Sequence, residues 1–203
     1  MWKIIFSPVA AGVAISIGGI AYLKTGNPFL FPIGLFIVCF YGLELFTGRI
    51  CYYSPKNHNL HCLVLMWLLN TLGAYGTGLV MRLAIPDLTG KAVANAEWKL
   101  DSGAFRVIPM AIMCNVLIFV AVDTFRRCKG NLYGFACLVF ATTAFVACGF
   151  EHCIANAFYF GMAGEKGADA LAFLVVNAIW NAIGGILAMR LLTAIKGRKQ
   201  ANV

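Results

Sequence analysis

From Asn131 to Gly164 the chain runs for 34 residues with only two side chains that carry charge near neutral pH, Glu151 and His152. A straight helix of that length would reach roughly 50 Å, against a hydrocarbon core about 30 Å thick. Such a run must tilt strongly or break, and Gly149-Phe150-Glu151-His152 is the natural break. The rest of the chain is of the same character: 61% of the residues are hydrophobic and 12% charged. Soluble domains are roughly 45–50% apolar and about 25% charged. A water-soluble globule is therefore excluded, and so is a disordered chain, which needs low hydrophobicity.

Six apolar segments fit a membrane. They are about Ile5–Leu23, Phe29–Tyr53, His61–Ile85, Ala104–Phe125, Leu132–Met162 and Leu171–Ile195. All are expected to be helices, because a span must satisfy its own backbone hydrogen bonds. The expected fold is an all-α integral membrane protein, one transmembrane domain over residues 1–203. The first span reads as a transmembrane helix rather than a signal peptide, since no clear cleavage site ends it.

The formal charge of +8 does not gather into a basic stripe, so nucleic acid is not an expected partner. Six spans put both ends on one side. That side collects Lys3, Lys56, Arg126, Arg127, Lys129, Lys196, Arg198 and Lys199, the other Lys24, Arg82, Lys91, Lys99, Arg106 and Lys166. The short Arg126-Arg127-Cys128-Lys129 turn is the strongest signal for cytoplasmic termini in a cell (inner or plasma) membrane. The eight cysteines form no C-x-x-C pair and read as small buried hydrophobes. No metal site, cofactor or enzymatic centre is expected.

The second span is interrupted like the fifth. Gly42-x-Glu44 matches Gly149-x-Glu151, and Asn70-Thr71-Leu72-Gly73 matches Asn181-Ala182-Ile183-Gly184. Three spans per half make the two copies, about residues 5–85 and 104–195, inverted in the membrane. Broken helices at matching positions of an inverted repeat point to a midplane pathway. Exposed N–H groups at half-helix starts favour an anion there. Gly73, Gly76, Gly78, Gly184 and Gly185 are expected to let helices approach closely.

Several stretches resemble the formate/nitrite transporter family. They are Ala11-Gly12-Val13-Ala14-Ile15-Ser16-Ile17, Glu44-Leu45-Phe46-Thr47-Gly48, Gly149-Phe150-Glu151-His152-Cys153-Ile154-Ala155-Asn156 and Asn181-Ala182-Ile183-Gly184-Gly185. They fall in order across almost the whole chain. The resemblance implies an aquaporin-like inverted repeat of six helices, with helices 2 and 5 interrupted, in a homopentamer with one pore per protomer. It implies passage of small monovalent anions or their conjugate acids: formate first, with nitrite, acetate, lactate and hydrosulfide possible. It makes His152 the central pore histidine, Thr47 its partner, Asn156 and Asn181 pore-side amides, and Lys99 the vestibule lysine, counted back from Asn115. Phe31, Leu35, Leu45 and Phe145 fall at apolar constrictions on either side of the histidine. Few residues precede span 1, so no N-terminal gating plug is expected. The connections between spans 3 and 4 and between spans 5 and 6 look short for the family, and a shallower entrance is expected.

Read without the resemblance, Lys99 is a solvated loop lysine and His152 a structural histidine as readily as a functional one. His152 could donate to an anion or pass it a proton. Thr47, Asn115, Asn156 and Asn181 could contact a pore or merely join helices. Glu44 and Glu151 would repel anions if bare. They are expected to face away from the conduit and hold the breaks, by accepting backbone N–H bonds or pairing with a cation. The alternative functional class is a neutral-solute channel of aquaporin or ammonium-channel type, but no Asn-Pro-Ala motif or twin histidine is present. A membrane redox subunit is disfavoured by the single midplane histidine, which cannot build a bis-His haem site.

Overall fold

The computed structural model describes the backbone of residues 2–55, 59–128 and 131–201, and the side chains of 4–55, 59–103, 105–128 and 131–197. Lys56 and Lys129, and the side chains of Lys3, Arg198 and Lys199, all part of the expected charge asymmetry, lie outside the described residues. Among the described residues there is helix and no strand.

The elements are α1 (Trp2–Thr25), α2 (Pro32–Tyr41), α3 (Phe46–Arg49), α4 (Leu60–Ala84), α5 (Thr89–Asp101), α6 (Gly103–Arg127), α7 (Leu132–Ala147), α8 (Cys153–Ala163) and α9 (Ala168–Ala201). Among the described residues, four stretches are long and apolar enough to cross a membrane: Ile4–Thr25, Leu60–Ala84, Phe105–Arg127 and Ala168–Gly197. A fifth candidate is the bent pair Pro28–Tyr41 and Phe46–Tyr52, whose parts meet at 63°. The long run from Asn131 to Gly164 breaks into the shorter apolar helices α7 and α8.

Both breaks start at the expected glycines. Gly42 ends α2 with φ 65° and Gly149 follows α7 with φ 66°. This left-handed conformation costs a residue with a Cβ more than it costs glycine. After each glycine the chain runs extended, then enters a new helix at Leu45 or His152.

The centre of the molecule is α8. Every one of its residues is buried, and it packs against α4, α5, α1 and α9. The α4–α8 contact needs two glycines. A Cβ on Gly78 would lie 2.4 Å from the carbonyl oxygen of Phe158, and one on Gly161 would lie 2.2 Å from that of Tyr75. Gly73, Gly184 and Gly185 likewise face a neighbouring helix, but Gly76 meets nothing within 4 Å. Gly76 is thus not a packing glycine: it lies on the same helix as Gly73 and Gly78 but turned from the neighbour. The outer surface carries large apolar side chains, among them Phe6, Leu83, Phe105, Leu132 and Leu191, as a lipid-facing or subunit-facing surface should.

One segment departs from expectation. The connection between spans 3 and 4 contains α5, an amphipathic helix that packs against α8 and buries Ala92, Ala96 and Lys99. Lys99 is therefore on a packed helix and not in a solvated loop.

Candidate functional site

The two breaks are held by the same device. Asn70 of α4 donates from Nδ2 to the carbonyls of Glu44 (2.9 Å) and Pro8 (2.7 Å), and its Oδ1 accepts from the Phe46 N–H (2.8 Å). Asn181 of α9 donates to the carbonyls of Glu151 (2.9 Å) and Ala111 (2.8 Å), and its Oδ1 accepts from the Cys153 N–H (2.9 Å). Each amide satisfies backbone groups that a broken helix leaves open in an apolar interior. Asn177, four residues before Asn181, also donates to the Glu151 carbonyl, at 2.9 Å.

The two loops meet at His152. Its ring Nε2 lies 3.0 Å from Thr47 Oγ1, and its Nδ1 accepts from the Ala155 N–H at 3.2 Å. An accepting Nδ1 carries no proton, so the neutral ring holds its proton on Nε2 and donates it to Thr47. That leaves the Thr47 hydroxyl proton to give elsewhere. Both side chains are shut from solvent, at 2% and 0% exposure. Phe145 stacks on the imidazole with centroids 5.8 Å apart, and Phe31 meets Phe145 edge-on at 5.5 Å.

Two cavities flank this pair. One of about 200 Å³ is lined by Phe31, Phe145, His152, Asn156, Trp98 and Lys99, among others. The other, about 80 Å³, is lined by Leu45 and Gly48, the neighbours of Phe46 and Thr47, and carries Arg49 and Arg126. The larger cavity thus carries one cation, Lys99, and the smaller two.

The carboxylates are paired with cations, one of the two arrangements expected. Arg49 grips both oxygens of Glu44. The Glu151 carboxylate is fully buried. Its Oε2 accepts from Lys99 Nζ at 2.5 Å and from Asn156 Nδ2 at 3.0 Å, and its Oε1 faces Arg106 at 3.3 Å.

Of the residues singled out from sequence, the structure brings Thr47, His152, Lys99, Asn156, Phe31 and Phe145 together around the larger cavity and its floor, with Leu45 on the smaller one. Three lie elsewhere. Asn181 is used up stapling the break behind the cavity and lines neither wall. Asn115 donates to the Thr47 carbonyl at 3.1 Å, which ties α6 to α3, and lines neither cavity. Leu35 is 1% exposed in the core and lines neither cavity. Both asparagines spend their amide N–H groups on backbone carbonyls, which turns them to the framework of the breaks. The expected free N–H groups at the start of α8 are likewise taken, Cys153 by Asn181 and Ala155 by His152. Sequence reasoning missed Asn177 and Arg106. Asn177 could have been found as a second amide on the Asn181 face of an apolar helix; nothing in the sequence pairs Arg106 with Glu151.

Several helices long and apolar enough to cross a membrane mark a multi-pass membrane protein. The chain belongs to the formate/nitrite transporter family, whose profile matches residues 1–195. Similar proteins include an uncharacterized transporter, YrhG, of Bacillus subtilis (strain 168), 29% identical over 84% of this chain and 71% of that one. A probable formate transporter of Methanothermobacter thermautotrophicus is 29% identical over 77% of this chain and 73% of that one. Among solved structures, a pentameric formate channel with formate bound matches with a TM-score of 0.80 at 20% identity, over 100% of this chain and 98% of that one. An FNT family ion channel matches with a TM-score of 0.81 at 23% identity, over 94% and 88%.

Proposed function

We propose that the protein passes small monovalent anions or their conjugate acids, formate first, across a cell membrane as a channel or proton-linked transporter. The observation that carries this is the solvent-shut Thr47–His152 hydrogen bond beside two cavities, one lined by Lys99 and the other by Arg49 and Arg126. Lys99 raises the local concentration of anions at one mouth. Phe31 and Phe145 oppose a fully hydrated ion and favour a dehydrated or neutral species. At the centre the Thr47 hydroxyl proton offers a hydrogen bond in place of lost water, and the Nε2–H offers a second once it leaves Thr47. As held, the neutral ring is a donor of hydrogen bonds. Delivery of a proton to the anion requires Nδ1 to release the Ala155 N–H and take up a proton first.

In this reading each interrupted helix is one span. The chain is a single domain of six spans in an aquaporin-like inverted repeat, α1 to α4 and α6 to α9, with both termini cytoplasmic. The solved relative described as a pentameric formate channel supports a homopentamer with one conduit per protomer. The test is flux of formate, nitrite, acetate and hydrosulfide into liposomes, with a proton readout, for wild type, His152→Ala and His152→Asn. Anion flux in wild type that drops in both variants is expected. Equal flux in all three removes His152 from the pathway, and water or ammonia flux without anion flux replaces the reading by a neutral-solute channel.

A further inference from the structure

We propose that Arg106 is a positioning residue that frees Lys99 to receive the anion; the inference rests on the anion-passage reading above. Lys99 cannot attract an anion while it is fully committed to Glu151, only 2.5 Å away. Nor can it leave Glu151 bare, because an unpaired carboxylate in a dry interior is strongly unfavourable. Glu151 is 0% exposed, so water cannot replace the lysine.

The structure supplies the replacement. Arg106 faces the other oxygen of the same carboxylate at 3.3 Å, and Asn156 donates to the oxygen that Lys99 binds. When Lys99 swings to an anion, Glu151 keeps a cation and an amide. One carboxylate between two cations also leaves one net positive charge at this mouth. The other acids of α5, Glu97 and Asp101, are exposed.

The fold places Arg106 with care. The α5–α6 turn at Ser102-Gly103 has Gly103 at φ 69°, and it sets Lys99, Ser102 and Arg106 on one side of the corner. Ser102 Oγ donates to the Lys99 carbonyl at 2.7 Å, and Arg106 reaches the same hydroxyl at 3.3 Å. The guanidinium lies 3.7 Å from the centroid of Trp98, which itself lines the larger cavity. That stacking holds Arg106 beside Glu151 without using another carboxylate.

The experiment is concentration-dependent formate uptake into liposomes at low ionic strength for wild type, R106Q, R106K and the double variant R106Q/E151Q. R106Q should raise the half-saturating concentration about fivefold or more while leaving the rate at saturation within about twofold, as lost charge attraction acts on capture. R106K should stay near wild type. R106Q/E151Q should return toward wild type, since removal of the carboxylate releases Lys99 by another route; a merely structural arginine gives no such rescue. W98L, which loosens Arg106 without removing it, should shift the half-saturating concentration in the same direction by less, and it carries the test should R106Q fail to reach the membrane. Unchanged half-saturation in R106Q or, in its place, W98L overturns the inference, and so does a double variant as weak as R106Q. A wild type that passes none of the anions overturns the function itself, and the role of Arg106 with it.

Discussion

Asn70 and Asn181 make the same three hydrogen bonds in opposite halves of the chain. Each donates to the carbonyl of the glutamate in a helix break and to a carbonyl of a long helix, α1 or α6, and each accepts from the N–H two residues after the glutamate. The break itself is therefore part of the folded framework. Thr47 follows directly on one staple and His152 lies within the other, between the Glu151 carbonyl and the Cys153 N–H, and the two side chains meet at 3.0 Å.

Asn181→Ala should destabilise the protein severely. It leaves the Cys153 N–H without a partner and removes a donor from the Glu151 and Ala111 carbonyls, at roughly 1–3 kcal/mol per buried group. Asn70→Ala should cost about as much. Thermal unfolding in detergent reads this; a midpoint unchanged in either variant means the staples do not hold the breaks.

Gly161→Ala and Gly78→Ala should each prevent normal packing of α4 on α8, because the added methyl meets backbone oxygen within 2.4 Å, and backbone cannot yield as a flexible side chain can. Gly76→Ala on the same helix should be tolerated or mildly stabilising, by up to about 1 kcal/mol from the better helix propensity of alanine. Folded yield by size exclusion distinguishes the three. Equal yields would contradict the close crossing.

Thr47→Ser keeps the hydroxyl that faces His152 and should preserve formate flux. Thr47→Val keeps the shape, removes the hydrogen bond and should lower flux about tenfold or more, as expected when a buried polar partner is left unpaired. Liposome flux of the two variants side by side is the measurement, and valine as good as serine would assign Thr47 to packing.

Phe31→Ala together with Phe145→Ala removes the two rings that line the larger cavity beside His152 and, in the proposed pathway, widens its apolar constriction. Uptake of lactate should rise relative to formate, because the larger anion gains most from the widened passage. A lactate-to-formate ratio identical to wild type would place the selective step elsewhere.

Much of this was legible before any fold was known. The apolar excess, the break glycines and the matched Glu and Asn positions lie in the sequence because membrane insertion and broken backbones demand particular residue types locally. Less visible were partners brought together across many residues. Asn181 looked like a pore amide, and Asn115 could equally contact a pore or join helices, because apolar helices give no clue to which face an amide turns; both turn to backbone carbonyls. By position and charge alone Lys99 looked like a loop residue, and only the family resemblance made it a vestibule lysine, because α5 is too polar to stand out beside six apolar runs; its buried place comes from packing on α8.

By itself the sequence determined the membrane setting, the two interruptions and the family, since hydropathy, backbone satisfaction and short motifs are properties of neighbouring residues. Only the tertiary structure decided which charges meet. Glu151 lies in a break between two apolar helices, Lys99 ends a polar one and Arg106 begins the next span. Their union depends on the turn at Ser102-Gly103 and the docking of α5 on α8, because a buried carboxylate selects its cations by distance in space and not along the chain.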